Sequence, residues 1–280
     1  MPARGRAIDN RGQLRPLFLE HCRPQGKVFC PRCVQQSVYV LKDGRFRCKA
    51  CLYPFHDFTG RWLNRCNLSQ SQWLALVRLF VEGVPVTEMA NEVQASYETT
   101  LKAMHTLRLS ILAHDPSFRS LFNQHGELRG HCRKDRAGSE GHCLGERAPV
   151  FGLHRRSGRI HFELAKGLVV ADVLSGPLKK KLWRTMVYTE ESGGFDALFF
   201  SCCANLRKLY AKKWDQSFIR LDEDRVFWDT AGQWLTRYRC FTPEYCPLYL
   251  KEFEFRFNHP RKNWFPLVLQ HLCQMVSFEN

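Results

Sequence analysis

Between Ser69 and Ala113 the apolar positions recur with the period of a helix. Trp73, Leu76, Val77 and Phe80 stand at i, i+3, i+4 and i+7. The polar run Ser69-Gln70-Ser71-Gln72 opens that helix and Gly83 closes it. Val86-Thr87-Glu88 starts a second helix with Met89, Ala90 and Val93 on its apolar face. After Gln94-Ala95-Ser96 a third runs from Tyr97 to about Ala113, carrying Leu101, Met104, Leu107, Leu109, Ile111 and Leu112. Helix, glycine turn, short helix, short turn and longer helix is the shape of a helix-turn-helix. A plain three-helix packing domain has the same pattern. In the first reading Ser96, Glu98, Thr99, Thr100 and Lys102 are exposed and face a DNA groove.

Upstream the period changes to two. Val38-Tyr39-Val40-Leu41, Lys42-Asp43-Gly44-Arg45 and Phe46-Arg47 read as strand, Asp-Gly turn and strand. Downstream, Ala148 to Leu153 and the alternating Arg159 to Leu164 flank a Ser157-Gly158 turn and predict another hairpin. Asp172 to Leu182 reads as a helix ending in Lys179-Lys180-Lys181, Trp183 to Thr189 as a buried strand, and Phe195 to Cys203 as a helix. A strand near Ser217 to Leu221 and helices at Asp224 to Tyr238 and Glu244 to Phe257 follow. Strands clustered first, then alternating with helices, indicate a mixed α/β sheet. The expected class is α+β and multidomain, with a basic head over residues 1–65, a helical segment over 66–122 and a sheet domain over 123–280.

The hairpin at Val38 lies between two cysteine pairs. Cys30-Pro31-Arg32-Cys33 and Cys48-Lys49-Ala50-Cys51 are separated by fourteen residues. Each C-x2-C pair folds two thiolates onto one ion, and four thiolates close a tetrahedral structural zinc site. Two such knuckles joined by a hairpin make a zinc ribbon. Its metal does no chemistry and instead folds a segment with little core of its own.

Charge favours one kind of partner. The chain carries a net +15 at pH 7, and residues 1–65 hold thirteen Lys and Arg against four Asp and Glu. A polyanion, and nucleic acid first, is the matching ligand. Arg32, Arg45, Arg47 and Lys49 lie beside Tyr39, Phe46 and Tyr53, a mixture suited to phosphate contact and base stacking. Lys179, Lys180 and Lys181 are further backbone-contact candidates. No run approaches the ~18 apolar residues of a membrane span. Residues 1–19 lack the apolar core of a secretory signal, so a reducing, cytoplasmic setting without a membrane partner is expected.

One stretch carries a resemblance. Tyr249-Leu250-Lys251-Glu252-Phe253-Glu254-Phe255-Arg256-Phe257-Asn258 resembles the closing helix of one group of bacterial insertion-sequence transposases. Pro149-Val150-Phe151-Gly152-Leu153 with Gly158, Val187-Tyr188-Thr189, and Phe227-Trp228 match in the same order, so the resemblance covers roughly residues 25–273. It implies an N-terminal zinc ribbon, a helix-turn-helix, and a DDE catalytic domain of RNase H-like fold. DNA is then the partner, and a homo-oligomer is compatible with the family.

The family's chemistry needs three carboxylates converging on two Mg²⁺ ions. By the family's pattern those positions fall here on His131, Glu190 and Arg225. One carboxylate survives, a methylene longer than Asp, and a guanidinium cannot ligate a metal. The resemblance therefore implies a DNA-binding relative with impaired catalysis. Two alternatives stay open: an active transposase using displaced carboxylates from Asp222, Glu223, Asp224 or Asp229, with Mg²⁺, and a zinc-ribbon regulator of transcription.

Overall fold

The computed structural model describes residues 11–122, 150–168, 180–183, 186–192, 194–201, 230, 233–234 and 245–276. The chain is mixed α and β, and it divides into two compact units. One runs to Ile111 and takes back Arg261–Ser277; the other is built from Leu112–Pro260.

The first unit begins with helix α1, Arg11–Cys22, which buries Phe18 and Cys22. Three short strands follow: β1 (Val38–Val40), β2 (Phe46–Cys48) and β3 (Pro54–Phe55). They form an antiparallel sheet in chain order, with Val38 opposite Cys48, Val40 opposite Phe46, and Phe46 opposite Phe55. The expected Asp-Gly turn closes the hairpin. Gly44, at φ 80°, donates to Leu41 O, and Asp43 accepts the Arg45 N–H at 3.0 Å. The core under this sheet is Cys30, Phe46, Cys48 and Phe55 alone, with partly buried neighbours such as Val28 and Val38.

The three expected helices are present as α2 (Gln70–Glu82), α3 (Val86–Val93) and α4 (Tyr97–Leu112). Ser69 caps α2 reciprocally: its hydroxyl accepts from Gln72 N–H, and the Gln72 side chain accepts from Ser69 N–H. Gly83 ends α2 at φ 79°, and Gln94 ends α3 at φ 53°. Ser96 caps α4 by accepting the Thr99 N–H at 3.1 Å. Trp73, Leu76, Val77, Phe80, Met89, Val93, Met104 and Leu107 are all buried. The Trp73 indole donates to Leu63 O at 2.9 Å, and the Gln72 amide donates to Val93 O at 3.0 Å, tying α2 to α3.

A last helix, Trp264–Leu272, packs on α1 and α2. Arg61 fastens it: its guanidinium donates to Asp57 O, Cys22 O and Cys273 O. The chain beyond the helix then pairs with residues 60–62, Trp62 N–H donating to Gln274 O and Val276 N–H to Gly60 O.

The second unit opens with the one-turn helix α5, Pro116–Arg119, capped by Asp115. Its sheet has β4 (Val150–Arg156), β5 (Arg159–Leu164), β6 (Lys180–Trp183), β7 (Met186–Ser192) and β8 (Phe195–Ser201), in the order β5-β4-β8-β7-β6. The Ser157-Gly158 turn, with φ of 51° and 72°, links β4 and β5 as expected. Helix α6, Cys246–Asn258, matches the helix read at Glu244 to Phe257.

Three expectations are corrected here. Phe195 to Cys203 is not a helix but strand β8 through Ser201: Ala197, Leu198 and Phe199 are all buried, a central strand covered on both faces. Such a short apolar run has no period to separate strand from helix. Trp183 to Thr189 is not one strand, because Trp183 pairs with Met186 and the chain reverses there. Lys180 and Lys181 lie on β6 instead of a helix end, opposite Thr189 and Tyr188. Every described pairing is antiparallel, and the strand expected near Ser217 to Leu221 lies outside the described residues. Close hairpins join β4 to β5, β6 to β7 and β7 to β8, and parallel neighbours need a longer crossover.

Candidate metal centre

The two cysteine pairs fold into two equivalent knuckles. In the first, Cys30 N–H donates to Gln35 O and Val34 N–H donates to Cys30 O, both at 2.9 Å. In the second, Cys48 N–H donates to Tyr53 O and Leu52 N–H donates to Cys48 O, both at 3.1 Å. The residue after each second cysteine is left-handed, Val34 at φ 60° and Leu52 at φ 59°. That conformation costs a side chain-bearing residue roughly 1–2 kcal/mol.

The β1–β2 hairpin brings the knuckles together. The four sulfur atoms of Cys30, Cys33, Cys48 and Cys51 lie within 4.8 Å of one another. Cys30 and Cys51 approach to 3.6 Å, and Cys33 and Cys48 to 3.5 Å. Thiolates ~2.3 Å from a tetrahedral zinc stand about 3.8 Å apart, so the spacing suits a metal such as zinc.

The surrounding backbone favours thiolate. The N–H of Cys51, joined by that of Ala50, holds Cys48 down to about 7 against its burial. The Gln35 N–H pulls Cys33 down as well, but burial and the thiols of Cys48, Cys51 and Cys30 outweigh it and push Cys33 up to about 12. A divalent cation bound by four cysteines would displace thiol protons as it binds.

The proposed DNA contacts divide by exposure. Arg32, Arg45, Arg47, Lys49 and Lys102 are exposed. Arg45 is ion-paired with Asp43 at 2.7 Å. Thr99 is partly buried, and its hydroxyl accepts from Ser96. Thr100 corrects the reading of an exposed face: it is fully buried and donates to Ser96 O at 3.0 Å. It stands in line with Met104, Leu107 and Ile111, the buried stripe of α4. Tyr97, which the sequence reading passes over, is half exposed at the start of α4.

Glu190 lies on β7 opposite Ala197. His131, Arg225, Lys179 and the acidic residues 222–224 and 229 lie outside the described residues. Among the described residues no helix is long and apolar enough to cross a membrane. The chain matches no protein-family model, no curated protein and no solved structure.

The left-handed pair Val34 and Leu52 and the Arg61 clasp are absent from the sequence reading. The first has a signal, since both residues directly follow the second cysteine of a C-x2-C pair. The second has none, because Arg61 and Cys273 are 212 residues apart.

Proposed function

We propose that the protein binds duplex DNA through a zinc ribbon and a helix-turn-helix, and that it descends from insertion-sequence transposases without keeping their chemistry. The observation that carries the reading is one compact unit holding both a four-cysteine cluster and helices α2–α4, of which α4 exposes its N-terminal turns. Recognition helices read base edges with those turns. Zinc on Cys30, Cys33, Cys48 and Cys51 would fold the ribbon, whose own core is too small to hold it. Lys102 and Tyr97 then face a groove while Arg32, Arg47 and Lys49 meet phosphates.

The transposase origin rests on the order of sequence motifs, and so does an RNase H-like second unit, since the described strand pairs are all antiparallel. With His131 and Arg225 at two family carboxylate positions, Mg²⁺ lacks the oxygen ligands it prefers.

The test measures duplex affinity of the zinc-loaded chain across a salt series, with nicking assayed in Mg²⁺ and Mn²⁺. Steeply salt-dependent binding, weakened by Lys102→Ala and Arg47→Ala, with no cleavage, is expected. Absence of DNA binding overturns the reading. Metal-dependent cleavage by the wild type that an Asp222/Asp224/Asp229 triple-alanine variant loses would restore the active-transposase alternative.

A further inference from the structure

The positions of Val34 and Leu52 call for a reason. Both are left-handed, at φ 60° and 59°, where glycine or asparagine is the low-strain choice. Valine, branched at Cβ, is among the least suited residues there. Their side chains are 73% and 64% exposed, so packing in this chain does not offset the strain. Two equivalent turns each hold an aliphatic side chain out at the metal end of the ribbon. The knuckle turns account for the left-handed backbone but not for an exposed aliphatic side chain on it, and strain kept for such a side chain points to a function.

Charge selects the occupant. Each knuckle pairs its aliphatic tip with an exposed cation, Arg32 in the first and Lys49 in the second. Arg47 adds another on β2, and the nearby acid, Asp43, is ion-paired with Arg45. An anionic surface with an apolar interior complements this pattern. The DNA minor groove is one: phosphates line its rims, and aliphatic side chains wedge between its base steps, partly unstacking them and bending the duplex. An anionic bilayer offers similar chemistry, but two short aliphatic tips bury far less apolar surface than a helix lying in the membrane interface.

We propose that Val34 and Leu52 are paired minor-groove wedges, pressed against duplex base steps while Arg32 and Lys49 hold the flanking phosphates. The proposal rests on the DNA reading above and adds its mode: the ribbon deforms the duplex and does not merely neutralise it. The wedges make binding favour flexible pyrimidine–purine steps.

The experiment uses the full zinc-loaded chain with Val34→Gly/Leu52→Gly and Val34→Asn/Leu52→Asn variants. Fluorescence anisotropy gives duplex affinity, end-to-end energy transfer gives bending, and thermal melting gives stability. Relief of the left-handed strain should raise Tm in the glycine pair. Affinity should nevertheless fall about tenfold or more, and the bend should disappear. The salt slope should hold, because no phosphate contact is removed. Folded variants that bind and bend DNA like the wild type overturn the proposal and leave the DNA reading standing. A wild type that binds no DNA overturns that reading and the wedge proposal with it. Variants that keep DNA binding but lose adhesion to phosphatidylserine vesicles assign the tips to a membrane, which also overturns it.

Discussion

Asn258 completes the edge of the five-stranded sheet by pairing with Ile160 as a strand residue would. Its Oδ1 accepts the Ile160 N–H at 2.9 Å, and its Nδ2 donates to Ile160 O at 2.6 Å. One turn earlier on α6, Glu254 accepts the Phe162 N–H at 2.7 Å, and Lys251 donates to Phe162 O at 3.1 Å. Three side chains of one helix face thus satisfy edge strand β5, whose open backbone would otherwise invite another chain. The motif from Lys251 to Asn258 has a structural explanation independent of catalysis.

Asn258→Ala should therefore destabilise the protein by about 1–3 kcal/mol, through two lost hydrogen bonds at a partly buried site. Chemical denaturation measures the loss, and light scattering should show association through the uncovered edge. An unchanged midpoint would remove the edge-capping role.

Lys251 is the centre of a second network. It is 5% exposed, lies 2.8 Å from Asp115 and 2.6 Å from Glu254, and stands over the Phe118 ring. Lys251→Met should cost about 3–5 kcal/mol, because both carboxylates lose their buried cation. Asp115, whose pKa is lowered by the Lys251 and Ser117 hydrogen bonds against its burial, should then titrate higher. Denaturation of the variant at pH 7, and recovery of stability on acidification, check both effects.

Gly152 carries a steric prediction. A Cβ there would lie 2.0 Å from the Phe195 ring, so Gly152→Ala forces that ring off its strand. Overpacking of this kind costs about 1–3 kcal/mol. A double-mutant cycle with Phe195→Ala should show strong coupling, and additivity would contradict the contact.

Helices α2–α4 and the β1–β2 hairpin were legible because their signals are local: a capping box at Ser69, an Asp-Gly turn, a helical apolar stripe. The four cysteines were legible for the same reason, since each knuckle needs only a C-x2-C pair. Strand β8 was not, because Phe195-Asp196-Ala197-Leu198-Phe199 reads equally as a helix until neighbours on both sides bury it. The return of Trp264–Leu272 to the first unit was hidden as well, because Arg61 and the carbonyls it holds meet only in three dimensions. Thr100 was misassigned for want of phase: one position along α4 separates the exposed face from the buried stripe.

His105 on α4 gives a pH signature. Burial, helped by the charge of Arg108, pushes its pKa down to about 4. The unfolded chain therefore takes up this proton first. His105 costs no stability above pH 6.5, and stability falls as pH drops from there toward 4. The loss is about 2–3 kcal/mol. His105→Leu should flatten that part of the profile relative to wild type, and parallel profiles would contradict it.

Zinc content and DNA affinity, measured on the same preparation of the full reduced chain, test the central claim most directly. About one zinc per chain is expected, with Cys48→Ser losing both the metal and most of the affinity. Chelation should weaken DNA binding and readdition of zinc should restore it. A reduced wild-type chain that holds no zinc, or that binds duplex DNA equally well after its zinc is stripped, would contradict a metal-folded DNA-binding head.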